Sequence, residues 1–189
     1  MNLRRFLEWV EGEGDLLTVE SAVEPNVEMA RIIHAMEDRP ILFNDPCRAG
    51  WRVISGVCAG RKHFAWALGT DSRGIVPRLV EALDNPRQPA VVADAPCQQQ
   101  VVRSPDLRGV PILKHLEDDG GPYVNAGILV LIDPDFGRNV SYHRLMQFGP
   151  TKFTARIDER HVTDTARSKA VDAGRDLEIA ICLGAPIHV

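Results

Sequence analysis

The sequence has no apolar run near the roughly 20 residues that a membrane-spanning helix requires, which removes a helical membrane protein from consideration. Its first residues, Met1-Asn2-Leu3-Arg4-Arg5-Phe6, lead into a charged helical pattern and lack the apolar core of a secretory leader, so a cytoplasmic location is expected. There is no long basic run and no stripe of interleaved basic and aromatic residues, and the formal net charge is −4; nucleic acid is therefore not an expected partner. Cysteine is scarce. Cys47, Cys58, Cys97 and Cys182 form no C-x-x-C pair and fit no zinc framework, so they read as reduced, half-buried fillers. Internal repeats and low-complexity tracts are absent.

What is present is ordinary globular composition, with 44% hydrophobic and 25% charged residues over 189 positions. That length suits one large domain or two small ones with a real core. Asn2 can cap a first helix whose Leu3, Phe6, Leu7 and Val10 share one face, with Gly12 and Gly14 ending it. Leu16 to Val19 reads as a strand. A second helix is expected from Val27 to Glu37, with Met29, Ile32, Ile33 and Met36 toward the core. Strands at Ile41-Leu42-Phe43 and Trp51 to Ile54 flank the turn Asn44-Asp45-Pro46. Helices follow at Arg61 to Leu68 and Arg73 to Leu83, the regular part of the latter starting at Pro77. Another extended segment begins at Pro89-Ala90-Val91-Val92. The pattern predicts an α/β (α+β) fold.

Pro96, Gln98-Gln99-Gln100, Pro105, Gly109 and Pro111 mark a change in composition and place a domain boundary, giving domains of residues 1–100 and 101–189. Beyond it, Asn125 to Ile132 and Asn139 to Phe148 read as two strands of a hairpin around Asp133-Pro134-Asp135-Phe136-Gly137. Phe153 to Ile157 is a third strand, Thr163 to Ala173 a helix closed by Gly174, and Leu177 to Leu183 a last strand. Gly184 to Val189 resembles the start of a new element more than a finished end.

The chemistry gathers around the hairpin. Gly120-Gly121-Pro122-Tyr123 allows positive φ or close approach of another group, and also suits a tight loop. Asn139 is either a turn residue or a hard oxygen ligand for magnesium or manganese, and His161 either a surface residue or an imidazole ligand. A complete site needs a carboxylate as well, and Asp158, Glu159 and Asp164 lie near in sequence. Arg144 faces solvent or meets an anion through its planar fork. In a regular strand, Asn139, Ser141 and His143 share one face and Val140, Tyr142 and Arg144 the other. If Asn139 and Arg144 serve one ligand, the strand must bend or bulge, the ligand must wrap its edge, or backbone groups must contribute.

Several of these segments, taken in order, resemble the UbiD family of reversible (de)carboxylases, which use prenylated FMN. They are Leu3-Arg4-Arg5-Phe6-Leu7-Glu8, Pro111-Ile112-Leu113-Lys114-His115, Gly120-Gly121-Pro122-Tyr123 and Arg138-Asn139-Val140-Ser141-Tyr142-His143-Arg144. The resemblance covers nearly the whole chain. It implies an N-terminal α/β domain followed by part of a split β-barrel that binds prenylated FMN. By motif match it implies Asn139 and His161 as ligands of Mn2+ or Mg2+, with K+ nearby. It also implies Asn139, Val140, Ser141, Tyr142, His143, Arg144, Arg160 and His161 at the cofactor, and Arg144 as the catalytic arginine. His143 stands where the family is often apolar or Tyr.

The metal-binding Glu and the two acids of the family fall after Val189, so the chain alone is not expected to turn over. The implied activity is non-oxidative decarboxylation of an unsaturated or aromatic carboxylic acid. The chain would act as a fragment or as one subunit of a split enzyme, with a partner chain carrying the C-terminal half and its catalytic Glu residues, in an oligomer. The rivals are a non-catalytic flavin-binding or assembly subunit and an ordinary FMN reductase on a similar barrel.

Overall fold

The computed structural model describes residues 2–36 and 38–188. Helix α1 (Leu3–Gly12) begins where the Asn2 side chain accepts the Arg5 N–H at 3.0 Å, satisfying one of the open N–H groups of a helix start. Its apolar face sinks fully: Phe6 is 1% and Val10 0% exposed. Strand β1 (Leu17–Val19) runs parallel to β2 (Ile41–Asn44), and β2 antiparallel to β3 (Arg52–Ser55). Helix α2 (Glu28–Ala35) lays Met29 against Val23, Ile41 and Phe43 to make the first core. Met36, expected on the same face, is 42% exposed because the helical backbone has ended at Ala35 and the 3.6-residue period no longer applies. The expected helix end at Glu37 lies outside the described residues.

Helix α3 (Arg61–Leu68) carries His63 into the interior, where Nδ1 accepts the Gly60 N–H and Nε2 donates to Asp15, each at 3.0 Å. Helix α4 (Ile75–Asp84) starts two residues before Pro77, whose missing N–H costs nothing in a first turn. Residues 85–106 hold one short 3₁₀ turn at Pro96–Gln98; the expected extended stretch at Val91-Val92 forms no strand, and Val91 is 91% exposed.

The second half contains two antiparallel sheets. β4 (Tyr123–Val124), β7 (Leu145–Gln147) and β8 (Phe153–Ala155) make one, in the order β4-β7-β8. β5 (Ile128–Asp133), β6 (Gly137–Tyr142) and β9 (Ile179–Cys182) make the other, in the order β6-β5-β9. Both sheets and helix α5 (Val162–Asp172) share one core of Ile112, Val124, Leu129, Leu131, Leu145 and Ala166. Each buried leucine there contributes roughly 1.5–3 kcal/mol of transfer free energy. The two halves are tied by backbone: Lys114 accepts the Val27 N–H at 2.8 Å and donates to Pro25 at 3.1 Å. That clasp holds Val27 at φ 70, an uncommon conformation for a β-branched residue.

The four thiols are free, as expected, but all are exposed rather than half-buried. Cys182, for example, lies in an outer strand and Cys97 in the exposed 85–106 segment. No helix among the described residues is long and apolar enough to cross a membrane.

Candidate active site

The hairpin that carries the candidate residues is pinned at both ends to α5. At its turn, Asp133 is 1% exposed, and its Oδ1 accepts the N–H groups of Asp135 and Phe136 at 2.8 and 2.9 Å. Lys169 of α5 reaches the same carboxylate at 2.9 and 3.0 Å and Asp135 at 2.6 Å, with its ammonium 4.9 Å from the Phe136 ring centre. A buried carboxylate survives only with such partners. The Lys169 ammonium, aided by the two N–H groups, holds the Asp133 carboxyl below the ordinary value despite the opposing cost of desolvation.

At the other end the chain changes sheets. β6 pairs with β5 as far as Tyr142, whereas β7 pairs with β4 and β8 from Leu145 onward. The expected single strand from Asn139 to Phe148 is therefore two strands, with His143 and Arg144 between them. This break resets the alternation of faces. Asn139, Ser141, His143 and Arg144 all line one cleft of about 590 Å3, together with Tyr142, Arg156, Asp158, His161, Val162 and Thr163. Val140 and Arg160 do not line it. Val140 belongs to the outward face of β6, and Arg160 adopts φ 67, with its N–H donating to Asp164 Oδ2 at 3.1 Å.

His161 is the cap residue of α5, so the open N–H groups of the helix's first turn lie beside it. Ser141 Oγ is 3.0 Å from His143 Nε2 and 3.4 Å from Thr163 Oγ1, and Asn139 Nδ2 donates to Ser141 Oγ at 3.4 Å. Arg144 is exposed, and its guanidinium has no hydrogen-bond or ion-pair partner among the described residues.

A second cleft of about 770 Å3 adjoins the first, and Arg144 and Arg156 line both. Its other walls include His115, Asp119, Tyr123, Asn125 and Met146. The His115 Nε2 faces Asn125 Nδ2 at 3.1 Å, so Nδ1 carries the proton, and this buried N–H has no partner. Asp119 is occupied, accepting the N–H groups of His115 and Leu116. Gly120 and Gly121 open this wall. Neither has positive φ; what they need is space, since a Cβ on Gly120 would stand 3.3 Å from Met146 Sδ.

Two donors suited to a divalent cation, Asn139 and His161, thus share a cleft, but no group of three His, Cys, Asp or Glu side chains fit for a metal occurs among the described residues. Asp164 turns away to Arg167 at 2.9 Å, and Asp158 pairs with Arg156 at 3.5 Å. Thr163 and Arg156 were not anticipated from sequence, where a threonine at a helix start and an arginine in a polar stretch carry no signal of their own.

Two models of the 3-octaprenyl-4-hydroxybenzoate carboxy-lyase family match the chain, its N-terminal domain at residues 7–83 and its Rift-related domain at residues 90–189. The chain belongs to the UbiD family. Among its relatives, the anhydromevalonate phosphate decarboxylase of Methanothermobacter thermautotrophicus is 36% identical over 183 residues, covering 96% of this chain and 42% of that protein. The corresponding enzyme of Methanosarcina mazei is 32% identical over 184 residues, again covering 42% of its length. The UbiD-class enzyme HmfF of Pelotomaculum thermopropionicum, solved with prenylated FMN, superposes with a TM-score of 0.91 at 34% identity, over 98% of this chain and 44% of that one. The 3,4-dihydroxybenzoic acid decarboxylase of Enterobacter cloacae superposes at 0.89 with 25% identity, over 98% and 42%. The UbiD chain described here thus spans less than half the length of these relatives.

Proposed function

We propose that this UbiD chain is the cofactor-phosphate and carboxylate-binding part of a reversible, non-oxidative decarboxylase acting on an unsaturated or aromatic carboxylic acid. The observation that carries this is Arg144, an exposed arginine without a counter-ion at the junction of two clefts. One cleft has the furniture of an anion and cation site: hydroxyls, an amide, an imidazole and a helix N-terminus. The other is open, with the unpartnered His115 N–H in its wall. The division into a domain of residues 1–100 and a partial split barrel of residues 101–189 belongs to the same proposal.

The residues fit the phosphate end of a flavin. Thr163 and the first turn of α5 would bind phosphate oxygens, and Asn139 and His161 would give two of the donors for Mn2+ or Mg2+, with K+ nearby. The prenylated flavin, when bound, supplies the electron sink for the charge released as carbon dioxide departs. Arg144 would grip the substrate carboxylate through two parallel N–H bonds, holding the breaking C–C bond in place. Replacing carbon dioxide by hydrogen requires a proton. The carboxylates of the two clefts already have partners, Asp119 in two backbone N–H groups and Asp158 in Arg156. In this reading the acid is a Glu carried by a partner chain or a further segment. HmfF is known in an evolved dimeric form, in keeping with assembly.

The test is reconstitution. The purified chain is mixed with prenylated FMN and Mn2+, with and without the C-terminal segment of a UbiD relative as a separate chain, and scored for retained flavin absorbance and carbon dioxide release. Flavin retention by the chain itself and turnover only with the second chain are expected, with turnover falling about 100-fold or more in Arg144→Ala. Flavin retention without turnover in every combination would instead make the chain a flavin-binding or assembly subunit. No retention at all would overturn both.

A further inference from the structure

His143 lies between the two strands and touches three groups. Its Nδ1 is 3.4 Å from the carbonyl oxygen of Arg156. A carbonyl oxygen only accepts, so Nδ1 carries the ring proton and Nε2 presents a lone pair. Two hydroxyls stand near that lone pair, Ser141 Oγ at 3.0 Å and Thr163 Oγ1 at 3.2 Å. Ser141 is the nearer of the two and is assigned as the donor. With its proton committed, Ser141 Oγ accepts, and Asn139 Nδ2 is the donor at 3.4 Å. An amide has one NH2 and one carbonyl, so anchoring the NH2 on Ser141 decides where the carbonyl oxygen goes.

We infer that His143 is a positioning residue: by accepting the hydrogen bond of the Ser141 hydroxyl it orients the Asn139 amide so that Oδ1, and not the NH2, is presented to a cation in the cleft. This rests on the reading above that Asn139 is a cation ligand. Without an acceptor at position 143, the Ser141 hydroxyl is free to donate to Asn139 Oδ1. The amide then turns over and offers its NH2 dipole to the cation, which repels it. A neutral, apolar side chain of similar size at 143 fills the same space and loses this control. Glutamine, with a carbonyl oxygen near the place of Nε2, keeps it.

Two readouts test this on the full chain. The first is 15N NMR of the free protein at about pH 8. The expected result is the Nδ1–H tautomer at His143 and a side-chain amide signal of Asn139 slowed in solvent exchange. That amide signal should be lost in His143→Phe and in Ser141→Ala and kept in His143→Gln. An Nε2–H tautomer, or an amide signal indifferent to His143→Phe, overturns the inference without reference to any metal. The second is Mn2+ titration in the presence of FMN, followed by electron paramagnetic resonance. His143→Phe should weaken binding roughly 10- to 100-fold, the usual effect of losing a group that orients a ligand, and His143→Gln should restore most of it. Equal Mn2+ affinity in the wild type and His143→Phe sinks this inference alone. A wild-type chain that holds no Mn2+ sinks the cation-site reading and the inference with it. His143→Leu replaces His143→Phe if the larger ring prevents folding.

Discussion

Arg160 holds its backbone at φ 67, in the left-handed region that costs an L-residue about 1–2 kcal/mol. The conformation persists because its N–H is bound by Asp164 Oδ2 at 3.1 Å, at the foot of α5. Arg167, and then this N–H, keep the Asp164 carboxyl below its ordinary value of 3.8. Backbone strain and side chain can be separated at this position. Arg160→Gly relieves the strain but adds the chain entropy of glycine, so a net gain of about 1 kcal/mol or less is expected, a rise in thermal midpoint of about 2–4 °C at most. If the guanidinium also touches the cofactor, as the family motif implies, FMN affinity falls in the same variant. Fluorescence titration decides it: a raised midpoint with unchanged affinity would remove Arg160 from the binding set. Asn139, Arg144 and His161 are legible in the sequence as donors because their chemistry is intrinsic to the residue. Thr163 and Arg156 become site residues only through the neighbours that the fold supplies.

Elements show the same division between what is local and what is not. The faces of α1 and the extent of α3 are legible because a 3.6-residue period and a cap act within one turn. The break at His143-Arg144 has no local signature; it exists because β7 finds its partners in β4 and β8 while β6 stays with β5. Asp133 likewise reads as a turn residue, although its half-buried partner Lys169 stands 36 positions away. This pair makes a prediction about the hairpin and α5. Asp133 is depressed below 3.8, so its stabilising contribution is present above that value and is lost as pH falls through the lower folded value. Lys169 is raised above 10.5, chiefly by Asp135 and then Asp133, so its contribution is complete below 10.5 and is lost as pH rises through the higher folded value. Thermal midpoints measured against pH should therefore show a plateau between these limits. Asp133→Asn should lower the plateau by several degrees and flatten the acid limb, because the group that titrates there is gone. Superimposable wild-type and mutant curves would mean that the hairpin is held by packing alone.

At the scale of the whole molecule, surface area is the telling quantity. A compact monomer of about 21 kDa should expose about 9,000 Å2, whereas this chain exposes 13509 Å2. The excess, about 4,500 Å2, is of the order that permanent complexes bury in total. Part of it lies along residues 85–106, where Val101 and Val102 are 72% and 73% exposed. Part lies on α4, with Val76 60% and Leu83 80% exposed, and part on the outward face of the β6-β5-β9 sheet, where Ile132 is 68% and Val140 51% exposed. Scattered apolar residues on a surface need no explanation, but contiguous ones on a sheet face behave as an interface. The chain by itself should therefore self-associate or bind a hydrophobic dye at micromolar concentration, and under the proposed function a C-terminal UbiD segment should suppress both. Sedimentation velocity and dye fluorescence, with and without that segment, measure this. A chain that stays monomeric and dark to the dye at tens of micromolar would show that these faces need no cover, and the argument from area for a completing partner would fail.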